Sequence, residues 1–315
     1  MNSGVERRLC GLVRAATSAL ALAVGLAACK KKESAPQPSA QETTSTAAAE
    51  EAPPSAPSVR VSGSSALLPL VLAAKEQFEA THKGVAIQVA GGGSLKGLAD
   101  ASSGAADIGD SDIGAPDDVK GQLVDHKIAV VGFAVMANKG RFNDRVRGLS
   151  LGDISKIFTG SVTNWKAVGG ANQPIVVINR APGSGTRAVF GNIVLGGDKF
   201  IDGPTEDSTQ SLAARLKETR GAISYLSLSA GDPELRTLSL TVKGGAIQPS
   251  TAAIARGEYP IWSYEHMYTK GEPAGLAKEF IDYMMSSDFQ EHVLPKIAGF
   301  VPVSQMKVSR ERASK

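Results

Sequence analysis

The sequence predicts an α/β protein, because apolar strand-like runs alternate with amphipathic helical patterns from residue 59 onward. Glycine and small hydroxyl residues stand at three strand-to-helix junctions, in the motifs GSSAL (63–67), GGGSL (91–95) and GSGTR (183–187). A helix start leaves backbone N–H groups unpaired and carries the positive end of the helix dipole, so each junction can bind an anion. Together with Arg180 and Asp112, the three junctions predict a cage for one small oxyanion.

The elements of the first half follow from the spacing of apolar residues. Val59 and Val61 alternate with polar residues as in a strand, and the helical pattern over 67–78 has one apolar face, with Pro69 tolerated in the first turn. The further elements of this half are a strand over 85–89, a helix from 94 through 98, a short strand over 106–109 that ends at DSD (110–112), and a strand over 127–138 that is apolar on both faces.

The second half repeats the alternation of strands and helices. We expect helices over 153–158, 187–195, 206–219 and 275–295, and strands over 174–179, 222–226 and 237–242. Ligands in such sheets bind beyond the carboxyl ends of strands, where the three junctions lie. Trp165, Trp262 and His266 are interpreted as packing residues.

The N-terminus is typical of a bacterial lipoprotein signal. Three arginines precede an apolar stretch over 15–26, and the motif LAAC (26–29) indicates cleavage before Cys29. The apolar stretch is too short to span a bilayer comfortably. We therefore expect residues 1–28 to be removed and Cys29 to carry a lipid; an uncleaved anchor and a general signal peptide are the alternatives.

Composition limits the remaining classes of function. Cys10 and Cys29 are the only cysteines in 315 residues, so the folded part has no disulfide and no thiolate metal cluster, and the four histidines lack metal-ligand spacing. Removal of residues 1–28 takes away three Arg and one Glu and lowers the formal net charge from +3 to +1, which does not favour nucleic acid as a partner. Residues 29–58 predict a disordered tether that begins at the lipidated cysteine. We expect no cofactor.

Seven motifs carry a likeness to a known family. They occur in the order SGSSALLPL, QVAGGGSLKGL, ADIGDSD, VGFAVMANK, IFTGSVTNW, INRAPGSGTR and YPIWSYEHMYTKG. With them, residues 59–306 resemble the phosphate-binding lipoproteins of the bacterial high-affinity phosphate ABC transporter. The resemblance implies the two-lobed periplasmic-binding-protein type II fold, in which two α/β sandwich domains are joined by a two-strand hinge. It implies that lobe one is formed by residues 59–138 plus 250–315, and lobe two by residues 139–249.

The same resemblance implies the function and the residues that perform it. The protein would be a monomeric, lipid-anchored, extracytoplasmic receptor that captures inorganic phosphate and delivers it to an ABC permease, and it would not be an enzyme. Carried over by motif, the phosphate-binding groups are Ser65, the amides of Ala66 and Leu67, Ser94, Asp112, Arg180, Ser184, Gly185 and Thr186. The chain departs from the family pattern at Leu67, where a threonine is common, and at Pro182, where some members carry an acidic residue that orients the arginine.

One acceptor among many donors suits phosphate better than sulfate. Phosphate at neutral pH keeps at least one proton, whereas sulfate offers only acceptors. Asp112 would accept the P–OH hydrogen and would be an unpaired negative charge facing sulfate. The Arg180 guanidinium presents a planar fork to two anion oxygens and stays charged.

Other interpretations remain open at this stage. Each feature also has a structural explanation: helix caps for Ser64 and Ser65, a positive-φ loop for 91–93, an ion pair for Arg180 and a turn for Asp112. A sensor that presents anion occupancy to a membrane receptor would use the same fold. A phosphate-ester hydrolase is disfavoured, because GSG (183–185) lacks the outer glycines of a nucleophile elbow and neither glycine-rich loop matches a P-loop.

Overall fold

The computed structural model describes residues 56–140 and 143–310. The predicted signal segment, Cys29 and the predicted tether as far as residue 55 lie outside these residues. Ser58, the last residue of the predicted tether, is instead the first residue of the first strand. Within the described ranges, no helix combines the length and the apolar character needed to cross a membrane. Over the same ranges, no group of three or more His, Cys, Asp or Glu side chains is arranged to hold a metal ion.

The described chain is an α/β fold, as the alternating pattern predicts. Its strands, in chain order, are β1 Ser58–Gly63, β2 Ala86–Gly91, β3 Ile108–Ser111, β4 Leu123–Asn138, β5 Gly148–Leu149, β6 Val176–Val177, β7 Asn179–Arg180, β8 Thr205–Glu206, β9 Ala222–Ser227, β10 Leu235–Thr237, β11 Ser239–Val242, β12 Gly245–Ile247, β13 Trp262–Lys270 and β14 Phe300–Val301.

Helices connect these strands, and several short helical turns supplement them. The α-helices are α1 Leu68–Thr81, α2 Ser94–Ser103, α3 Asp117–Lys120, α4 Leu151–Phe158, α5 Gly185–Phe190, α6 Thr209–Glu218, α7 Thr251–Ala255 and α8 Gly275–Met285. A π-helical turn, Gly191–Leu195, continues α5, and another, Phe289–Val293, follows α8.

The long strand β4 is shared by two portions of one sheet, whose strand order is β2-β1-β3-β13-β4-β9-β6. Its first part, from Leu123 to Gly132, pairs antiparallel with β13, and its last part, from Phe133 to Ala137, pairs antiparallel with β9. Nearly every residue from Ile128 to Ala137 is completely buried. The apolar run in this part of the sequence therefore forms a strand covered on both faces, as predicted.

The segment that precedes β13 brings the chain back to the first portion of the sheet, and it lies beside Phe133, where β4 changes partners. There Phe133 donates its N–H to the carbonyl of Ile261 at 2.8 Å and accepts the hydroxyl of Tyr259 at 2.9 Å. Arg310 lies against the same segment: its guanidinium stacks over the ring of Trp262 at 4.2 Å and donates to the carbonyl of Trp262 at 2.6 Å. The last described residue of the chain thus holds this crossing in place.

Most predicted elements differ from the structure at their ends, and the strand expected over 174–179 is divided between β6 and β7. The helix expected over 206–219 begins only at Thr209, because the Ser208 side chain caps it, and the helix expected over 187–195 begins earlier, at Gly185, because Ser184 caps it. The helix expected over 275–295 ends at Met285, where Ser286 is extended. The strand expected over 237–242 is divided between β10 and β11.

Glycine allows α2 to lie directly on strands β1 and β3. A Cβ added at Gly97, in the middle of this helix, would lie 2.4 Å from the carbonyl oxygen of Asp110 and 2.8 Å from that of Ser62. Backbone atoms cannot rotate away as a side chain can, so the strands or the helix would have to move. The close approach sets the position of Ser94, the first residue of α2.

We expect Gly97→Ala to destabilise the protein by about 1–3 kcal/mol, because the added methyl overpacks a backbone contact. Equilibrium denaturation with urea would measure the free energy of unfolding. The matched control is Gly121→Ala: this glycine has φ −73° and nothing within 4 Å of an added Cβ. Its replacement is expected to be neutral or to stabilise by up to about 1 kcal/mol. Equal free energies for the two variants would contradict the close packing of α2.

Candidate functional site

Asp112 lies at the centre of a buried polar cluster just beyond the end of β3. Its side chain is buried, and each carboxylate oxygen accepts a hydrogen bond from a hydroxyl: Oδ1 from Ser64, and Oδ2 from Thr186 at 2.7 Å. Its backbone N–H donates to the Ser94 hydroxyl at 2.9 Å. Groups from all three predicted junctions therefore meet at one aspartate.

Arg180, at the end of β7, lies in the same cluster and is 1% exposed. Its Nη2 donates to the Ser65 hydroxyl at 3.0 Å, and its Nη1 to the Thr209 hydroxyl at 3.4 Å. The guanidinium is oriented by two backbone carbonyls, those of Glu206 at 3.3 Å and Asp207 at 3.1 Å. These carbonyls orient the arginine in a chain that has Pro182 in place of the acidic residue found in some family members.

The first junction is organised by Ser64. Its hydroxyl oxygen accepts the N–H of Ala66 at 3.0 Å and that of Leu67 at 3.3 Å while its hydroxyl hydrogen is donated to Asp112. The two amides that we expect to face an anion are thus bonded to Ser64 here. Helix α1 starts one residue later, with Pro69 in its first turn.

The second and third junctions approach each other without room for a side chain. A Cβ added at Gly185, the first residue of α5, would lie 2.1 Å from the Ser94 hydroxyl and 2.9 Å from the Asp112 Cβ. Next to it, the N–H of Leu95 donates to the carbonyl of Gly183 at 3.2 Å. Ser184 caps α5 by accepting the N–H of Arg187 at 3.2 Å. Glycine is thus required here by close contact between two helix starts.

The structure brings the predicted binding residues of the described chain into one place. These residues are all buried and belong to, or directly precede, helices α1, α2 and α5 and strand β7, or follow β3: Ser65, Ala66, Leu67, Ser94, Asp112, Arg180, Ser184, Gly185 and Thr186. Trp165, Trp262 and His266 are buried outside the cluster. Arg187 bonds to the carbonyl of Arg180 at 2.8 Å and lies over the Phe200 ring.

Thr209 is a member of the cluster that the sequence analysis missed. It is the first residue of α6, and its backbone N–H donates to the Ser65 hydroxyl at 3.1 Å. Ser208, which caps α6, could have indicated that the helix starts at Thr209. The helix was predicted to begin at residue 206, so Thr209 was placed in its interior. Ser65 and Thr209 also line a cavity of about 310 Å³ that includes Lys217 and Ser229.

Two further carboxyl groups, neither among the predicted binding residues, interact with Asp112. Asp110 is 2% exposed, and burial together with the nearby charge of Asp112 raises its pKa well above the ordinary value. Glu265, on β13, is completely buried, and burial, followed by the charges of Asp112 and Asp110, raises its pKa well above the ordinary value. In both groups burial therefore favours the neutral, protonated form.

Burial also shifts the pKa values of Arg180 and Tyr225. Burial lowers the pKa of Arg180, and the charge of Asp112 opposes that change. The hydroxyl of Tyr225 accepts the backbone N–H of Arg180 at 3.3 Å, and burial raises the pKa of this tyrosine to about 12. The cluster therefore holds one guanidinium, one carboxylate and several hydroxyls. Such a set can donate many hydrogen bonds to a small anion and accept one from it.

Comparison with known proteins connects this geometry with a family. A family model described as a PBP superfamily domain matches residues 41–288. The chain is 44% identical over 263 residues to the phosphate-binding protein PstS of Bacillus subtilis, a match that covers 82% of this chain and 85% of that protein.

Solved structures give the same result. A Clostridium perfringens chain described as a phosphate ABC transporter substrate-binding protein, with bound phosphate, has a TM-score of 0.71 and 28% identity and covers 78% of this chain and 99% of its own. An ABC-type phosphate transport receptor from Vibrio cholerae has a TM-score of 0.61 and 22% identity, with 78% and 99% coverage, and supports the fold.

The buried acid Asp110 is expected to make the protein less stable as pH rises. The folded state keeps the Asp110 proton above the pH at which the unfolded chain releases it, so the free energy of unfolding decreases as pH rises through that interval. Asp110→Asn removes this titration. From about pH 5 to about pH 8, the variant should therefore lose less stability than the wild type in urea denaturation.

Asp107→Asn is the matched control for this measurement. Hydrogen bonds from Arg60 lower the pKa of Asp107, so this group contributes stability above its unfolded pKa and loses it in acid. Its replacement should alter the acid limb and leave the change between about pH 5 and about pH 8 as in the wild type. If the Asp110→Asn protein had the same slope as the wild type over that interval, Asp110 would not be a neutral acid.

Proposed function

This chain belongs to the PBP superfamily and, within it, to the family of the PstS phosphate-binding proteins, and from that premise we propose that it captures inorganic phosphate outside the cytoplasm and delivers it to an ABC permease. The relatives named above are phosphate-binding and phosphate-transport proteins, and one was crystallised with phosphate. The residues that would bind the anion here are those of the Asp112 cluster.

A single observation carries the choice of ligand. In the cluster, the Asp112 carboxylate accepts hydrogen bonds from two hydroxyl groups, and the buried guanidinium of Arg180 is close enough to interact with its charge. Hydroxyls and the guanidinium suit the bare oxygens of a tetrahedral anion, and Asp112 suits its remaining P–OH group. In our proposal the hydroxyls that now bond to Asp112 and to each other donate to phosphate when it is bound.

The contacts within the cluster also support a closing mechanism. We assign residues 59–138 and 250–315 to one lobe and residues 139–249 to the other. The hydrogen bonds of Thr186 to Asp112 and of Arg180 to Ser65 then join the two lobes. A ligand that binds groups of both lobes stabilises the closed arrangement, since only that arrangement provides all of its partners.

The N-terminal features complete the proposal. Cleavage after residue 28 would leave Cys29 as a lipidated terminus, and residues 30–55 would connect the lipid to the folded chain. A monomeric receptor attached in this way stays close to the permease that it supplies.

The first test is titration of the purified protein with phosphate and with sulfate by calorimetry. We expect the wild type to bind phosphate and to discriminate against sulfate. Asp112→Asn is expected to weaken phosphate binding about tenfold or more, because a hydrogen bond to a charged acceptor is lost. The same variant should bind sulfate better than the wild type does, because the amide can donate to a bare oxygen.

Asp118→Asn is the matched control, because Asp118 is exposed in the first turn of α3. It should titrate like the wild type with both anions. An unchanged ratio of phosphate to sulfate affinity in the Asp112→Asn protein would exclude Asp112 as the acceptor of the ligand proton.

The second test removes the positive charge. Arg180→Ala is expected to reduce phosphate affinity by at least about thirtyfold, since a buried, oriented guanidinium is lost together with its hydrogen bonds. Arg220→Ala removes an exposed arginine and should have no effect on calorimetric titration. Near-native affinity in the Arg180→Ala protein would place phosphate elsewhere.

A further inference from the structure

Glu265 is a buried acid on the strand next to Asp112, the proposed acceptor of the ligand proton. It lies on β13, whose neighbours on either side are β3 and β4, and its side chain has no exposure to solvent. No N–H or hydroxyl group among the described residues donates a hydrogen bond to either of its carboxyl oxygens. The first strand residue after it, His266, pairs with Ser111, which places Glu265 level with Asp112 at the end of β3.

The groups that act on Glu265 are acidic. After burial, it is the carboxyl groups of Asp112 and Asp110 that raise the pKa of Glu265. Two carboxylates cannot share a hydrogen bond unless one of them is protonated. Glu265 with a proton becomes a donor whose acceptor is Asp112, whereas Glu265 without one would be an uncompensated buried charge.

The other charged groups on the neighbouring elements are directed elsewhere. His266 contacts Asp125, with 2.6 Å between Nδ1 and Oδ1, and Lys127 of β4 lies 4.6 Å from the centre of the Tyr264 ring. On α2, Lys96 pairs with Asp100. The positive charge of Arg180 acts on Asp112. The arrangement thus stabilises a negative charge on Asp112 and leaves Glu265 without a cation.

We propose that Glu265 is a positioning residue of the anion site, a permanently protonated carboxylic acid that donates its hydrogen to Asp112 and thereby keeps the negative charge on Asp112. This inference rests on the proposed function and adds the group that determines which protonation state of a tetrahedral anion the site accepts.

The proton resides on Glu265 and not on Asp112 because the two carboxyl groups have unequal environments. If the proton moved from Glu265 to Asp112, Asp112 would become a hydrogen-bond donor. The site would then bind a fully deprotonated anion such as sulfate. The charge would then rest on Glu265, which has neither the two hydroxyl donors of Asp112 nor a nearby arginine. The proton therefore stays on Glu265, and Asp112 can only accept. The ligand has to bring its own proton.

Two variants separate a hydrogen-bond donor from a charge. Glu265→Gln keeps a neutral donor of the same shape, and its phosphate affinity and its phosphate-to-sulfate ratio are expected to stay within about threefold of the wild type. Glu265→Leu keeps the volume but cannot donate, and it is expected to bind phosphate about tenfold more weakly and to discriminate less against sulfate. Because Asp112 then takes up a proton more readily, the loss should grow as the pH of the titration falls.

Calorimetric titrations with phosphate and with sulfate across a pH series would compare these two proteins with the wild type, after thermal melting has shown that each is folded. A Glu265→Gln protein that loses as much affinity as Glu265→Leu would overturn the proposal, because a donor would then be insufficient. A Glu265→Leu protein whose affinity ratio and pH profile match those of the wild type would overturn it as well.

A measurement without any ligand separates this inference from the proposed function. At neutral pH, the infrared spectrum of the wild type should contain the carbonyl band of a protonated carboxylic acid, and that band should decrease in Glu265→Gln. Identical bands in the two proteins would show that Glu265 is ionised and would overturn the inference even if phosphate binds. Failure of the wild type to bind phosphate, together with a band that decreases in Glu265→Gln, would overturn the proposed function and leave the protonation of Glu265 established.

Discussion

A carboxylate that is removed from water needs hydrogen-bond donors around it. The burial of Asp112 imposes this requirement on the segments that form the cluster. The two hydroxyls that bond to it come from segments more than 120 residues apart in sequence, Ser64 and Thr186. Each hydroxyl precedes a helix or lies in its first turn, next to a glycine that permits close contact with a neighbouring segment: Gly63 with the backbone of Asp110, and Gly185 with Ser94 and Asp112. The fold around the site can be understood as the set of contacts that brings these donors to one buried charge.

The sequence was sufficient for the parts of the site that depend on local patterns. Glycine and hydroxyl residues at strand-to-helix junctions, followed by the resemblance to a family, located the groups that meet at Asp112. Thr209 was missed because the start of α6 was predicted three residues too early, and a helix boundary depends on which side chain caps it. The partners of Arg180 could not be predicted in the same way, since they are backbone carbonyls of Glu206 and Asp207, which any residue type provides.

Glu265 illustrates a different limit of sequence reasoning. Nothing in the motif YEHMY distinguishes Glu265 from an ordinary polar residue of a strand. In the structure β13 lies between β3 and β4, with Glu265 level with Asp112, and this carboxyl is completely buried. Pairing across the sheet, which determines this environment, joins residues about 150 positions apart and leaves no local signal.

The place of β13 in the sheet also has a consequence for how the chain reaches its native state. This strand, from residues 262–270, separates β3 from β4, which are both formed before residue 140. Until it is added, β3 and β4 have no partner between them and expose unpaired edges. Folding of the first portion of the sheet is therefore completed only after most of the polypeptide is present, a high-contact-order step that is intrinsically slow.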